Sequence, residues 1–93
     1  MHTGPYTLLR DFAQQHPNTR SALNHWYRLI SGRNFRSIAE LREVFPHADR
    51  VEGWTVFNIG GNKARLIAFI HYGRQTVSIH RVLTHPEYDK WRL

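Results

Sequence analysis

The stretch from Trp54 to Tyr72 constrains this chain more than any other. Trp54–Ile59 is dominated by β-branched and aromatic residues, Gly60-Gly61-Asn62 tolerates positive φ, and Lys63–Tyr72 resumes the strand pattern. Two strands joined by such a turn form an antiparallel hairpin. Alternation then sorts the second strand: Ala64, Leu66, Ala68 and Ile70 share one face, and Lys63, Arg65, Ile67, Phe69 and His71 share the other. The first face is wholly apolar and requires a covering layer. The second mixes two cations, an imidazole and two large apolar groups, and is left available. Gly73-Arg74-Gln75 turns the chain into a third strand, Thr76–Leu83, in which Thr76, Ser78, His80 and Val82 oppose Val77, Ile79, Arg81 and Leu83. Three sequential strands with tight turns predict an antiparallel meander.

The covering layer comes from the first half. Pro5 suits a first helical turn, and Leu8, Leu9, Phe12 and Ala13 follow at helical spacing. His16-Pro17-Asn18 breaks that helix. Asn18 or Thr19 can cap a second one, which presents Ala22, Leu23, Trp26, Tyr27, Leu29 and Ile30 before Ser31-Gly32 stops it. The two make an αα-hairpin. Ser37-Ile38-Ala39-Glu40 reads as a capping box opening a short third helix that Pro46 ends, and Thr84-His85-Pro86-Glu87 opens a last helix in the same way. The expectation is one α+β domain over residues 1–93. Its N-terminal helices pack on a small antiparallel sheet, and a short C-terminal helix closes the chain.

Composition narrows the partners. Eleven Arg and two Lys face seven acidic residues, giving +6, and the charge is spread over both halves with no basic tail. Arg presents a planar fork suited to phosphate and carboxylate, so an anionic partner is expected. Absence of Cys removes disulfides, thiolate zinc sites and a Cys nucleophile. The longest apolar run is Leu66–Ile70 and no signal-peptide pattern opens the chain, so no membrane role and a cytoplasmic location are expected. The seven His are dispersed without HExxH, HxH or i,i+4 pairs, which gives no metal site and no cofactor.

Two constellations carry chemistry. Lys63, Arg65 and His71 on one sheet face can grip a phosphate, although scattered cations are also ordinary on an exposed strand. His85, Tyr88 and Asp89 fall within one helical turn behind Thr84. His suits proton transfer near neutral pH, and Tyr can donate a proton or stack on a base. Capping alone accounts for Thr84 and Glu87 and leaves His85 and Tyr88 open.

Val56-Phe57-Asn58-Ile59-Gly60-Gly61-Asn62-Lys63-Ala64-Arg65-Leu66-Ile67-Ala68 resembles the HigB family of toxins, within the RelE/ParE-like superfamily of toxin–antitoxin modules. Thr84-His85-Pro86-Glu87-Tyr88-Asp89 is a second matching block, and Leu41-Arg42-Glu43-Val44-Phe45-Pro46 resembles the family's segment ahead of the first strand. The resemblance covers nearly the whole chain and implies a RelE/ParE-like fold. It implies a ribosome-dependent endoribonuclease that cleaves mRNA during translation by metal-free attack of a 2′-OH. It further implies neutralisation by a HigA-type antitoxin, with operator DNA bound only through the antitoxin complex. On that basis Arg65 stabilises the phosphorane, Lys63 positions the phosphate, and His85 transfers protons with Tyr88 as acid or stacking partner. Asn58 and Asn62 contact RNA, with His71, Arg81 and Lys90 as further RNA-binding candidates. Asn58, Gly60, Gly61 and Asn62 also have a structural reading as hairpin residues.

The superfamily fold serves more than one function. A ParE-like toxin that inhibits DNA gyrase without nuclease activity, or a non-catalytic RNA- or ribosome-binding module, is compatible with the same residues.

Overall fold

The computed structural model describes residues 1–93. In chain order the elements are β1 (His2–Gly4), α1 (Tyr6–Gln15), a 3-10 turn (Pro17–Thr19), α2 (Arg20–Ser31), α3 (Ile38–Val44), β2 (Asp49–Val51), β3 (Trp54–Ile59), β4 (Ala64–His71), β5 (Thr76–Thr84) and α4 (His85–Arg92). The expected meander is β3-β4-β5. It sits inside a five-stranded sheet of order β1-β5-β4-β3-β2, in which β1 runs parallel to β5 and the other pairs are antiparallel. The sheet is therefore mixed. Its two edge strands were not expected: His2-Thr3-Gly4 and Asp49-Arg50-Val51 are too short to show alternation. Short edges of this kind limit pairing with foreign strands.

The apolar face of β4 is buried as its alternation requires. Ala64, Leu66, Ala68 and Ile70 pack with Phe57 and Ile59 of β3 and with Val77 and Ile79 of β5 beneath Leu9, Ala13, Leu23, Trp26, Ile30 and Leu41. Trp26 and Phe45 both meet the Phe57 ring edge-on, at centroid distances of 5.3 and 5.1 Å.

The other face is not simply open. α4 lies on it, and Tyr88 joins Val56 and Ile67 in a second small core flanked by Trp54, Leu83 and Trp91. A bulge in β5 corrects the alternation expected there. Ile67 pairs with Arg81 while Ala68 pairs with Ile79, so His80 is the extra residue. Val77, Ile79 and Val82 consequently face the main core, whereas Arg81 and Leu83 face outward. A regular strand would have driven Arg81 under the helices, where an unpaired guanidinium is costly.

The cap signals form to different extents. Thr84 and Glu87 form the full capping box: the Glu87 amide donates to Thr84 Oγ1 at 3.3 Å, and the Thr84 amide donates to Glu87 Oε1 at 2.8 Å. At α3 only half of the box exists. The Glu40 amide donates to Ser37 Oγ, but Glu40 Oε1 accepts from the Arg36 amide, one residue further back. Thr19 stands at the N-cap of α2 without capping it, because its hydroxyl donates to the His16 carbonyl at 2.7 Å. Pro5 lies just ahead of α1, at its N-cap. No helix is long and apolar enough to cross a membrane.

Candidate active site

Register builds the site. Asn58 pairs with Arg65 across β3 and β4, so both point to the outer face at the hairpin end. Asp49 pairs with Val56, which brings β2 and the preceding His47 beside them. The capping box at Thr84 directs α4 back over the same area and delivers His85, Tyr88, Asp89 and Arg92. The result is a pocket of about 240 Å³ lined by these side chains.

Arg65 forms the base of the pocket and is only 8% exposed. Its Nη1 donates to the carbonyls of Gly61 and Ala64, each at 3.0 Å, and its Nη2 donates to Asn62 Oδ1 at 3.1 Å. The Gly61 carbonyl is presented by a turn in which Gly60 and Gly61 have φ of 58° and 70°, a region natural to glycine. A guanidinium has five N–H donors. These three bonds fix its plane, and Nε makes no bond within the chain, so donor capacity remains for an anion.

Around it sit two imidazoles, two carboxylates and a phenol. His85 Nδ1 lies 3.3 Å from Asp89 Oδ2, one turn on along α4. The carboxylate faces one ring nitrogen and leaves the other free for chemistry. Asp49 is held by Arg42 Nη2 at 3.6 Å and by the Arg50 amide at 2.9 Å. The Glu87 carboxyl is kept below the usual carboxylate range by its hydrogen bonds with Thr84, so the cap is ionised wherever the pocket would work. No group of three or more His, Asp or Glu side chains is arranged to hold a metal ion.

Of the residues expected at the site, Arg65, Asn58, His85 and Tyr88 line this pocket, and Asn62 touches Arg65 from behind. Lys63 does not join them. It precedes β4, and its Nζ donates to the Asn18 carbonyl at 3.2 Å on the helical side of the hairpin. His71 shares the Arg65 face but lies six residues away, about 20 Å along the strand. There its Nδ1 accepts from the Arg74 amide. Arg81 and Lys90 are exposed outside the pocket. His47, Asp49 and Arg92 line the pocket and were not singled out beforehand. For His47 and Asp49 only the pairing of β2 with β3 reveals it, whereas Arg92 follows from helical spacing behind Asp89.

Residues 19–91 match the HigB toxin family, described as the RelE-like toxic component of a toxin–antitoxin system. The mRNA interferase HigB of Escherichia coli O6:H1 is 32% identical over 93 aligned residues, covering 97% of this chain and 90% of the relative. The mRNA interferase toxin HigB of Escherichia coli K12 and the mRNA interferase HigB of Shigella flexneri are each 33% identical, over 96% of this chain and 88% of theirs. With a family match over most of its length and relatives matched nearly end to end, this α+β chain belongs to the HigB family of RelE-like toxins.

Proposed function

We propose that the chain is an mRNA interferase, a ribosome-dependent endoribonuclease that cuts mRNA during translation in the cytoplasm and is neutralised by a HigA-type antitoxin. Operator DNA is met only through the antitoxin complex. The observation that carries this reading is the meeting of Arg65, a buried cation with unused donors, with the His85–Asp89 pair in one pocket.

The reaction requires no metal. A 2′-OH loses a proton and attacks the neighbouring phosphorus, and the 5′-oxygen leaves after gaining a proton. Negative charge grows on the phosphoryl oxygens between these events. A pre-oriented guanidinium pays little reorganisation when that charge appears, which assigns Arg65 the phosphorane. His85, oriented by Asp89, is the proton-transfer group beside the 2′-OH. His47 and the Tyr88 phenol are the groups in reach for the second proton. Asn58 hydrogen-bonds RNA, and Asn62 acts through Arg65. Lys63, anchored at Asn18, contributes long-range attraction, and His71, Arg81 and Lys90, outside the pocket, meet RNA away from the scissile phosphate.

The test maps mRNA 5′ ends on translating ribosomes with wild type, His85→Asn and Asp89→Asn. Both substituted groups are exposed, so folding should persist. Cuts in wild type that fall at least tenfold in His85→Asn support the reading. Cuts undiminished in His85→Asn remove that residue from the mechanism, and intact mRNA with broken DNA in wild-type cultures transfers the toxin to the gyrase class.

A further inference from the structure

The outer face carries rings that the proposed chemistry does not use. Trp54, at the start of β3, and His80, the bulge residue of β5, stack with centroids 4.3 Å apart and planes within 16°. His80 lies 6.5 Å from the Trp91 ring, and Trp91 lies 6.0 Å from Tyr88 at 25°. Tyr88 is a wall of the pocket that holds Arg65. The rings therefore run without a break from the pocket across the sheet. Trp54 and Trp91 are half-buried and His80 is exposed, so the run keeps accessible ring edges and faces. Beside it, Arg81 is exposed on the same face.

The bulge gives this arrangement a purpose. One extra residue costs ladder hydrogen bonds, and bulges next to active sites re-aim side chains. Here the extra residue lets His80 and Arg81, neighbours in sequence, both turn outward. One stacks on indole and the other offers a cation. Aromatic faces interleaved with cations are what single-stranded nucleic acid requires, since every base has a π-face and every linkage a charge.

We infer that Trp54, His80 and Trp91 form a stacking track for the bases of single-stranded RNA on one side of the scissile phosphate, with Arg81 on the backbone. This rests on the nuclease reading for its register with the pocket, but stacking can be tested separately. The probe is a short RNA with 2′-O-methyl groups, which cannot be cut, and an abasic oligomer of equal length and charge. Binding is followed by tryptophan fluorescence. The base-bearing RNA should quench emission and bind more tightly than the abasic one. His80→Ala should weaken it roughly 5- to 150-fold, the worth of one stacked base, while His80→Phe retains most of the affinity. Equal affinity for both oligomers, or an unaffected His80→Ala, overturns the track even if wild type cleaves mRNA. Stacking by a wild type that never cuts mRNA supports the track and removes the nuclease reading. Loss of antitoxin binding with unchanged RNA affinity in His80→Ala gives the face to a protein partner and overturns the proposal.

Discussion

Arg65→Ala is the natural variant for testing the site, and the structure says that it will disturb more than chemistry. The guanidinium donates to the Gly61 and Ala64 carbonyls and to Asn62 Oδ1, and its environment is nearly closed to solvent. Truncation leaves the Ala64 carbonyl buried without that partner, at about 1–3 kcal/mol, and loses further charge-assisted bonds to the turn. The three bonds share one group and do not add, so the expected total is roughly 2–4 kcal/mol. For a domain of this size each kcal/mol moves the melting temperature by about 4–8 °C, so a fall of roughly 10–30 °C is expected. Total stability of such domains is about 5–15 kcal/mol, so most of the population remains folded at 25 °C. Loss of toxicity in growing cells would therefore confound unfolding with lost catalysis. The informative assay measures thermal melting first, then cleavage at a temperature where both proteins are folded. Asn62→Ala, which removes one acceptor, should cost about 1 kcal/mol and show non-additivity with Arg65→Ala. A melting temperature for Arg65→Ala within about 2 °C of wild type would refute the anchoring argument, since that is well under the shift for 1 kcal/mol.

Other expectations follow from single contacts. Thr84→Ala removes the N-cap of α4 and should cost about 1 kcal/mol. Because α4 carries His85, Tyr88 and Asp89, cleavage should fall with it although Thr84 does not line the pocket, as paired melting and cleavage assays would show. The Glu87 carboxyl, held below its ordinary value by Thr84, stabilises the fold fully above the unfolded-chain value of about pH 4.3. That contribution fades as the pH falls through the lower folded value, so acid melts of wild type and Glu87→Gln should converge. Tyr72 carries a buried hydroxyl without a partner, and burial pushes its pKa up. Tyr72→Phe should be neutral or up to about 1 kcal/mol more stable in denaturant titration. Ala68 is fully buried on the inner face of β4, and Ala68→Leu should cost about 1–3 kcal/mol by overpacking, read in the same titration.

How much was legible depended on how local the cause was. The buried face of β4 was readable because alternation over eight residues outweighs any other local signal, and Ala64, Leu66, Ala68 and Ile70 are all in the core. The same alternation put Arg65 on the outer face, whereas Asn58 came only from the family motif; the hairpin register sets the two opposite each other. Lys63 was misplaced because it was counted as the first residue of the strand. It belongs to the turn, and turn geometry swings it to Asn18. The bulge was not readable, because nothing in Thr76–Leu83 marks where a strand will accept an extra residue. His47 and Asp49 depend on pairing between a three-residue strand and β3, a tertiary fact without a local signature.

The parallel pairing of β1 with β5 has a consequence for the order of assembly. Thr3 is synthesised well before its partner, Val77. Until β5 has been made the first strand has nothing to pair with, although the α1–α2 hairpin and the β2-β3-β4 strands can already begin to pack. Contacts so distant in sequence are entropically slow to form. Until they form, Thr76–Ser78, the first three residues of the nine-residue β5, keep a bare edge. β1 is thus a latch over one end of β5, and a molecule in which it has not docked differs at Thr76–Ser78.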